Sequence, residues 1–393
     1  MGRLTVPLHP SPAPLFKEKG IDAVSGRSLS FSQIKDKTRR FSSALVKRGF
    51  KKGDVLAIYL PNLIEYPIIF HGVACLGGVI TTVNPQYSPQ DLARQLNISR
   101  AKYLVTIPSL AVQAFSSGTL KGIRSVFVIG EAQGCESISA LLSDDGDAFP
   151  KIVKINPKED VVSLPFSSGT TGISKGVMIT HYNLIAQLCI VTKQSTPPDL
   201  PVVPTVLNVL PFYHTYGLTL IMGLYLYLGA KVVLLSRFEP QSFLQAIQDY
   251  KVTTLPLVPP LVLFLTKHSM VDKFDLSSLQ SLSSGAAPLA RDLEIGVAKR
   301  LPSLVAVRQG YGMTEMTMAS HSLGVTDKIK TGSVGLLLPN MECKVVDPET
   351  GKILGPNQDG EICVRGPIIM KGVCLSYRPQ STLPIYNGRF HHV

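Results

Sequence analysis

The sequence predicts an α/β protein built on largely parallel sheets with helices on both faces. Short apolar runs of strand length alternate with amphipathic helical stretches, and Gly- or Pro-containing turns separate them. The chain has 393 residues, 45% hydrophobic and 17% charged, which exceeds what one hydrophobic core supports. Two or three packed subdomains are therefore expected.

Residues 1–27, with Pro7, Pro10, Pro12 and Pro14, read as an irregular arm. Ser30-Phe31-Ser32 opens a helix that continues through Leu45 with apolar residues on one face. Asp54 to Leu60 is a strand ended by Pro61-Asn62, and a helix follows through Cys75. Val79–Val83, Tyr103–Ile107 and Val126–Ile129 are further apolar strands. After a more polar segment (Glu136 to Asp160), Val206–Leu210 and Val232–Leu235 read as strands and Gln241–Tyr250 as a helix. Thr253–Val258 is a strand closed by Pro259-Pro260. Ser281–Ser284 and Leu304–Arg308 are short strands, each running into a glycine-containing loop. Open α/β sheets bind ligands at the carboxyl ends of such strands. Glu342–Arg365 alternates like the strands of a small β subdomain, with a turn at 348–351. The most apolar stretch, Leu218–Leu235, contains Gly223, Gly229 and Lys231, so a core helix followed by a strand is expected there and no transmembrane span.

The formal net charge of +12 favours polyanionic partners. The basic residues are scattered, with short clusters only at 35–40 and 47–52, and no zinc-finger spacing or aromatic-interleaved basic stripe occurs. Small polyanions thus fit better than nucleic acid. The six cysteines form no CxxC pair, and most stand among apolar neighbours, as expected of buried reduced thiols rather than a zinc site. The first residues carry no charged-then-apolar signal pattern, and a cytoplasmic location is expected.

The most informative stretch is Ser167-Ser-Gly-Thr-Thr-Gly-Ile-Ser-Lys-Gly176. Glycines let a backbone approach phosphates, hydroxyls and N–H groups bind their oxygens, and a lysine neutralises charge. Ser174, not glycine, precedes Lys175, so this is a phosphate loop other than Walker A. A flexible Ser/Gly linker is the bland alternative, but it has no need of Lys175-Gly176 followed by a strand-like Val177-Met-Ile179.

This loop resembles the signature of the adenylate-forming superfamily, which includes acyl-CoA synthetases, 4-coumarate–CoA ligases, insect-type luciferases and peptide-synthetase adenylation domains. Four more stretches resemble its motifs in the same order: Leu210-Pro-Phe-Tyr-His-Thr-Tyr-Gly217, Ser284-Gly-Ala-Ala-Pro-Leu289, Gln309-Gly-Tyr-Gly-Met-Thr-Glu315 and Gly360-Glu-Ile-Cys-Val-Arg-Gly366. The likeness covers 28–371 and implies the N-terminal lobe of an ATP-dependent carboxylate–CoA ligase, built of two αβα parallel-sheet subdomains plus a small β subdomain. It implies ATP, Mg²⁺ and coenzyme A as cofactor and co-substrates, and a small carboxylic acid as partner. By resemblance, Ser167, Ser168, Gly169, Thr170, Thr171, Gly172 and Lys175 cradle phosphates, and Gln309, Gly310, Tyr311 and Thr314 complete the nucleotide site. Tyr311 lies against adenine, Thr314 on the α-phosphate, and Glu315 holds Mg²⁺. His214, Tyr216, Gly285, Ala286, Ala287 and Gly310 line the acyl pocket, with His214 near the carboxylate. Arg237 is the candidate for the CoA phosphates. His214, Thr314, Glu315 and Lys175 are the catalytic candidates.

The sequence departs from the family after Lys371. No Thr-Gly-Asp occurs, and residues 372–393 read as a divergent tail in place of the C-terminal lobe, so impaired turnover is expected. The peroxisomal tripeptide that many relatives carry is also absent from the His-His-Val end. Phe31-Ser-Gln-Ile34 and Leu60-Pro-Asn-Leu-Ile-Glu65 look most like 4-coumarate–CoA ligases, whereas Leu220 and Met316-Thr-Met-Ala319 suit a fatty acid equally. A non-catalytic protein that binds ATP, an acyl ligand or a full-length partner is the alternative. A luciferase-like oxygenase rests on ancestry alone.

Overall fold

The structure, a computed structural model, describes residues 20–116, 118–167, 175–195, 204–324, 327–374 and 391–392. The chain opens with β1 (Gly20–Asp22), β2 (Ser28–Leu29) and α1 (Phe31–Lys47). Alternating elements follow: β3 (Val55–Ile58), α2 (Tyr66–Cys75), β4 (Val79–Thr82), α3 (Pro89–Ser99), β5 (Tyr103–Thr106), α4 (Pro108–Ser116) and β6 (Ser125–Val128). Then come β7 (Glu136–Ser137), α5 (Ile138–Leu142), β8 (Val161–Ser163), β9 (Phe166–Ser167), β10 (Lys175–Thr180) and α6 (His181–Ser195). The second half contains β11 (Thr205–Asn208), β12 (Lys231–Leu234), α7 (Pro240–Tyr250), β13 (Thr254–Leu257), α8 (Pro259–Lys267), β14 (Ser281–Ser284), α9 (Arg291–Arg300) and β15 (Ala306–Tyr311). Short strands complete it: β16 (His321–Ser322), β17 (Leu336–Leu337), β18 (Glu342–Val346), β19 (Glu361–Arg365), β20 (Gly372–Cys374) and β21 (His391–His392).

Two large sheets result. One runs β20-β10-β8-β4-β3-β5-β6-β7, with β9 paired to β10, and the other β17-β16-β15-β14-β13-β11-β12-β1-β2. A three-stranded antiparallel sheet, β18-β19-β21, is the small β unit. The central pairs of both large sheets are parallel, as expected. All four residues of β3 are buried, which is why parallel strands covered on both faces read as unbroken apolar runs. The start of α1 follows from its capping box. Ser30 Oγ accepts from Gln33 N (3.2 Å), and Gln33 Oε1 accepts from Ser30 N (2.8 Å).

The apolar stretch after His214 is the expected core helix followed by a strand: a π-type helix, Tyr216–Tyr225, leads to β12, and no helix among the described residues is long and apolar enough to cross a membrane. Three expectations need correction. Gly20–Asp22, inside the stretch read as an arm, is a strand that pairs in parallel with β12. Gly372–Cys374, read as tail, pairs with β10. Of the cysteines, only Cys363 and Cys374 are buried, while Cys75, Cys189 and Cys343 are exposed. Helical side chains that cover a sheet leave one face outward, and an apolar neighbourhood in sequence does not say which.

The two large sheets are joined by the loop after β3. Asn62, 4% exposed, donates through Nδ2 to the carbonyls of Leu210 (2.9 Å) and Leu235 (3.2 Å). Its Oδ1 accepts from Phe212 N (2.8 Å). Thr82 Oγ1, at the end of β4, donates to the Tyr213 carbonyl (2.8 Å). Asn62→Ala leaves three buried main-chain groups unpaired and is expected to cost about 3 kcal/mol in urea unfolding. A loss below about 0.5 kcal/mol, the scale of an ordinary surface substitution, would show that the clamp is dispensable.

The protein packed around the rings, which displaces water from them, depresses the pKa of His71, His181, His214 and His321, that of His71 to about 4. These imidazoles therefore bind protons more readily in the unfolded chain. Their contribution to stability is full above about pH 6.5 and is lost as pH falls toward 4. The thermal midpoint is expected to drop across that window, and His71→Gln to flatten part of the drop.

Candidate active site

In the second sheet, β11 neighbours β12 on one side and β13 on the other, so the connections diverge at this point. Such a switch point opens a crevice at the carboxyl ends of the strands. The His214 loop leaves β11 there, the Gly285 loop leaves β14, and Gly310–Glu315 ends β15. Three of the sequence motifs thus share one edge.

The phosphate-loop stretch is flanked by the β9–β10 hairpin, in which Ser167 and Lys175 are direct partners. Ser168, Gly169, Thr170, Thr171 and Gly172 lie outside the described residues. Ser167 Oγ donates to Glu315 Oε1 at 2.8 Å, which joins the phosphate-loop flank to the loop after β15. Glu315 sits with buried Thr314 on a 3₁₀ turn, Thr314–Met316, and its carbonyl accepts from Met370 N (2.9 Å). Glu315 Oε2 has no hydrogen-bond partner among the described residues. One open carboxylate oxygen beside a phosphate loop suits Mg²⁺, which takes a single protein carboxylate with phosphate and water oxygens. Among the described residues no cluster of three His, Cys, Asp or Glu is present that could hold a metal by side chains alone.

The turn around Glu315 is held in an uncommon conformation. A side chain at Gly312 would collide with the Met318 carbonyl. Thr317 has φ +64°, and Ala286 in the neighbouring loop has φ +67°. Non-glycine residues in this region carry strain that surrounding contacts must hold. The contacts are specific. Thr317 Oγ1 donates to the Ile368 carbonyl (2.7 Å), and Thr219 Oγ1 donates to the Thr317 carbonyl (3.3 Å). On α6, Asn183 Nδ2 donates to the carbonyls of Pro367 and Ile369 (2.8 Å each). One turn later, the Gln187 amide lies within reach of those of Met316 (3.3 Å) and Ala319 (3.1 Å), to which it donates once its nitrogen is turned toward them. The i, i+4 spacing puts both amides on one helix face. None of these four polar residues is marked by a motif; two amides four apart in an apolar helix are the only signal.

His214 is exposed, and Tyr216 N donates to its Nδ1 at 3.3 Å. That bond leaves the proton on Nε2, and the protein around the ring lowers its pKa, so a neutral donor is favoured. Burial pushes the Tyr216 hydroxyl up to about 12, against a hydrogen bond with Ser283 that lowers it. A Cβ at Gly285 would lie 3.3 Å from the Tyr216 ring, so the two acyl-pocket candidates touch. Ala286 and Ala287 are exposed at the rim.

One residue, Gln309, is turned away from its expected role. The Gln309 side chain is turned into the protein: its Oε1 accepts from Leu289 N (3.0 Å) and its Nε2 donates to Glu294 Oε2 (2.9 Å). It ties the Gly285 loop to β15 and α9 and leaves only its backbone for a nucleotide. Gly310 and Tyr311 continue β15 and pair with β16, with Tyr311 5.9 Å from the His321 ring. Arg237 lies exposed beyond β12 and makes no hydrogen bond or ion pair among the described residues.

The sequence model of the AMP-binding enzyme family matches residues 14–374. The chain is 37% identical over 374 residues to a probable 4-coumarate–CoA ligase of Dictyostelium discoideum, covering 90% of this chain and 66% of that protein. It thus spans a little under two thirds of the length of the curated relatives it matches. A long-chain-fatty-acid–CoA ligase from Archaeoglobus fulgidus superposes with a TM-score of 0.82 at 28% identity, over 91% of this chain and 73% of that one. ATP-bound MatB from Rhodopseudomonas palustris superposes with 0.81 at 26% identity, over 92% and 70%. The chain belongs to the AMP-binding, adenylate-forming enzyme family and has the character of an acyl-CoA ligase.

The Ser167–Glu315 bond is testable by a double-mutant cycle. Ser167→Ala and Glu315→Gln are expected to couple by about 1 kcal/mol in ATP affinity, and additive losses would show that the two act separately.

Proposed function

We propose that this chain binds ATP and a carboxylic acid at the shared carboxyl edge and joins them as an acyl-adenylate, which coenzyme A converts to a thioester. The observation that supports this most is the Ser167 Oγ–Glu315 Oε1 hydrogen bond, which sets a phosphate-loop flank against a carboxylate. In the first step a carboxylate oxygen attacks the α-phosphorus and pyrophosphate leaves. In the second the CoA sulfur attacks the acyl carbonyl, loses its proton, and AMP leaves.

Like charges meet in the first step, so the site must supply cations and fixed donors. Lys175 and the Ser167–Lys175 stretch are assigned to the departing phosphates. Thr314 is assigned to the α-phosphate and Tyr311 to the adenine face. His214, neutral with its proton on Nε2, offers a donor to the acyl carboxylate. Mg²⁺, when bound at Glu315, neutralises phosphate charge. Tyr216, Gly285, Ala286, Ala287 and Gly310 are assigned to the acyl group, and Arg237 to the CoA phosphates. The curated relatives support a hydroxycinnamate, while apolar Leu220 beside Tyr216 and the fatty-acid ligase superposition support an aliphatic acid. The second reading is ATP binding without turnover.

The test is pyrophosphate release with ATP, Mg²⁺ and a panel of hydroxycinnamates and fatty acids. Release is expected to require one acid class and to fall on the order of 10²–10³-fold in Lys175→Ala, the scale of a lost transition-state charge contact. ATP binding with no acid-dependent release would overturn the ligase reading and leave the binding one.

A further inference from the structure

The first large sheet has a carboxyl edge of its own. There β3 neighbours β4 on one side and β5 on the other, so this sheet too has a switch point. The loop after β3 (residues 61–65) and the loop after β6 (129–130) flank a cavity of about 550 Å³. That is within the range of pockets that hold small molecules. Its wall is aliphatic: Leu29, Ile64, Ile68, Ile129, Ile138 and Leu142. Three charged residues, Arg27, Lys37 and Glu65, also line it. None of these side chains belongs to the site described above.

The ion pair joins the wall to the surface, with the Arg27 side chain 54% exposed. Glu65 is buried, its side chain 10% exposed, and its Oε1 accepts from Arg27 Nη1 at 2.9 Å. Placing a carboxylate in an aliphatic wall costs stability unless it is paired. Here it fixes the guanidinium at the cavity while leaving the other Arg27 side-chain donors without partners among the described residues. The Lys37 ammonium likewise has no hydrogen-bond or ion partner among them. The cavity therefore combines an apolar body with one net positive charge and unused donors. A fork of guanidinium donors and an ammonium lining one cavity match a carboxylate.

We propose that this cavity is a second ligand site, which takes a monoanion with an aliphatic body, its head on Arg27 and Lys37 and its body among the isoleucines. The occupant is distinguished from an acyl substrate by where it binds. Four isoleucines line the cavity, so ¹³C-labelled isoleucine δ1 methyls report on it directly. Decanoate is expected to shift the methyls of Ile64, Ile68, Ile129 and Ile138 saturably, and decylamine at the same concentration to leave them in place. Lys37→Glu, a partly exposed substitution away from the core, is expected to weaken decanoate about tenfold, the equivalent of about 1.4 kcal/mol. Leu142→Trp is expected to fill the cavity and abolish the shifts. Three results would overturn the proposal: no response of these methyls, equal responses to decanoate and decylamine, or shifts confined to Ile221 in the π-type helix after His214.

Discussion

Asn62 is the contact on which the geometry of the site depends. It sits at the carboxyl end of β3 in one sheet, yet all three of its hydrogen bonds go to main-chain groups at the carboxyl ends of β11 and β12 in the other. A side-chain amide offers donors and an acceptor from one rigid plane, so it can hold two carbonyls and an N–H at once. Buried groups of this kind must be paired, which gives the joint a single geometry rather than a sliding apolar seam. The His214 loop begins at the clamped residues Leu210 and Phe212, so its position is set by the junction between sheets as much as by its own strand.

The loop carrying Thr314 and Glu315 is governed in the same way, by polar side chains outside it. The α6 amides hold it and the 367–369 segment together, and the backbone at Thr317 is kept in a conformation that side chains usually avoid. Rigid helices and strands thus carry the support, while the groups with chemistry sit on the loops between them.

The central strands are legible in the sequence because burial on both faces leaves unbroken apolar runs, as in Val55–Ile58 and Val232–Leu234. The site is legible to the extent that its residues cluster in motifs, which is how His214, Gly285 and Glu315 are found before any coordinates. What escapes is supplied by tertiary pairing. Strand β1 and the edge strand β20 have three residues each, too few for a period to show, and they exist through their partners, β12 and β2 for the first and β10 for the second. Gly310 reads as part of a loop, yet pairing with Ser322 keeps it extended. Gln309 stands inside a motif and so reads as a ligand, although its amide is committed to Leu289 and Glu294. Asn62 and Gln187 bind main-chain groups, which carry no sequence signature.

The contact between Gly285 and the Tyr216 ring has an evolutionary consequence. A methyl group there would press on the ring, and one base change converts a glycine codon to alanine. On the proposed assignment of Gly285 to the acyl group, acid preference is therefore one mutational step away, while the clamp and the α6 grips stay untouched. A fold with this division can diversify what it accepts without renegotiating how it is held together.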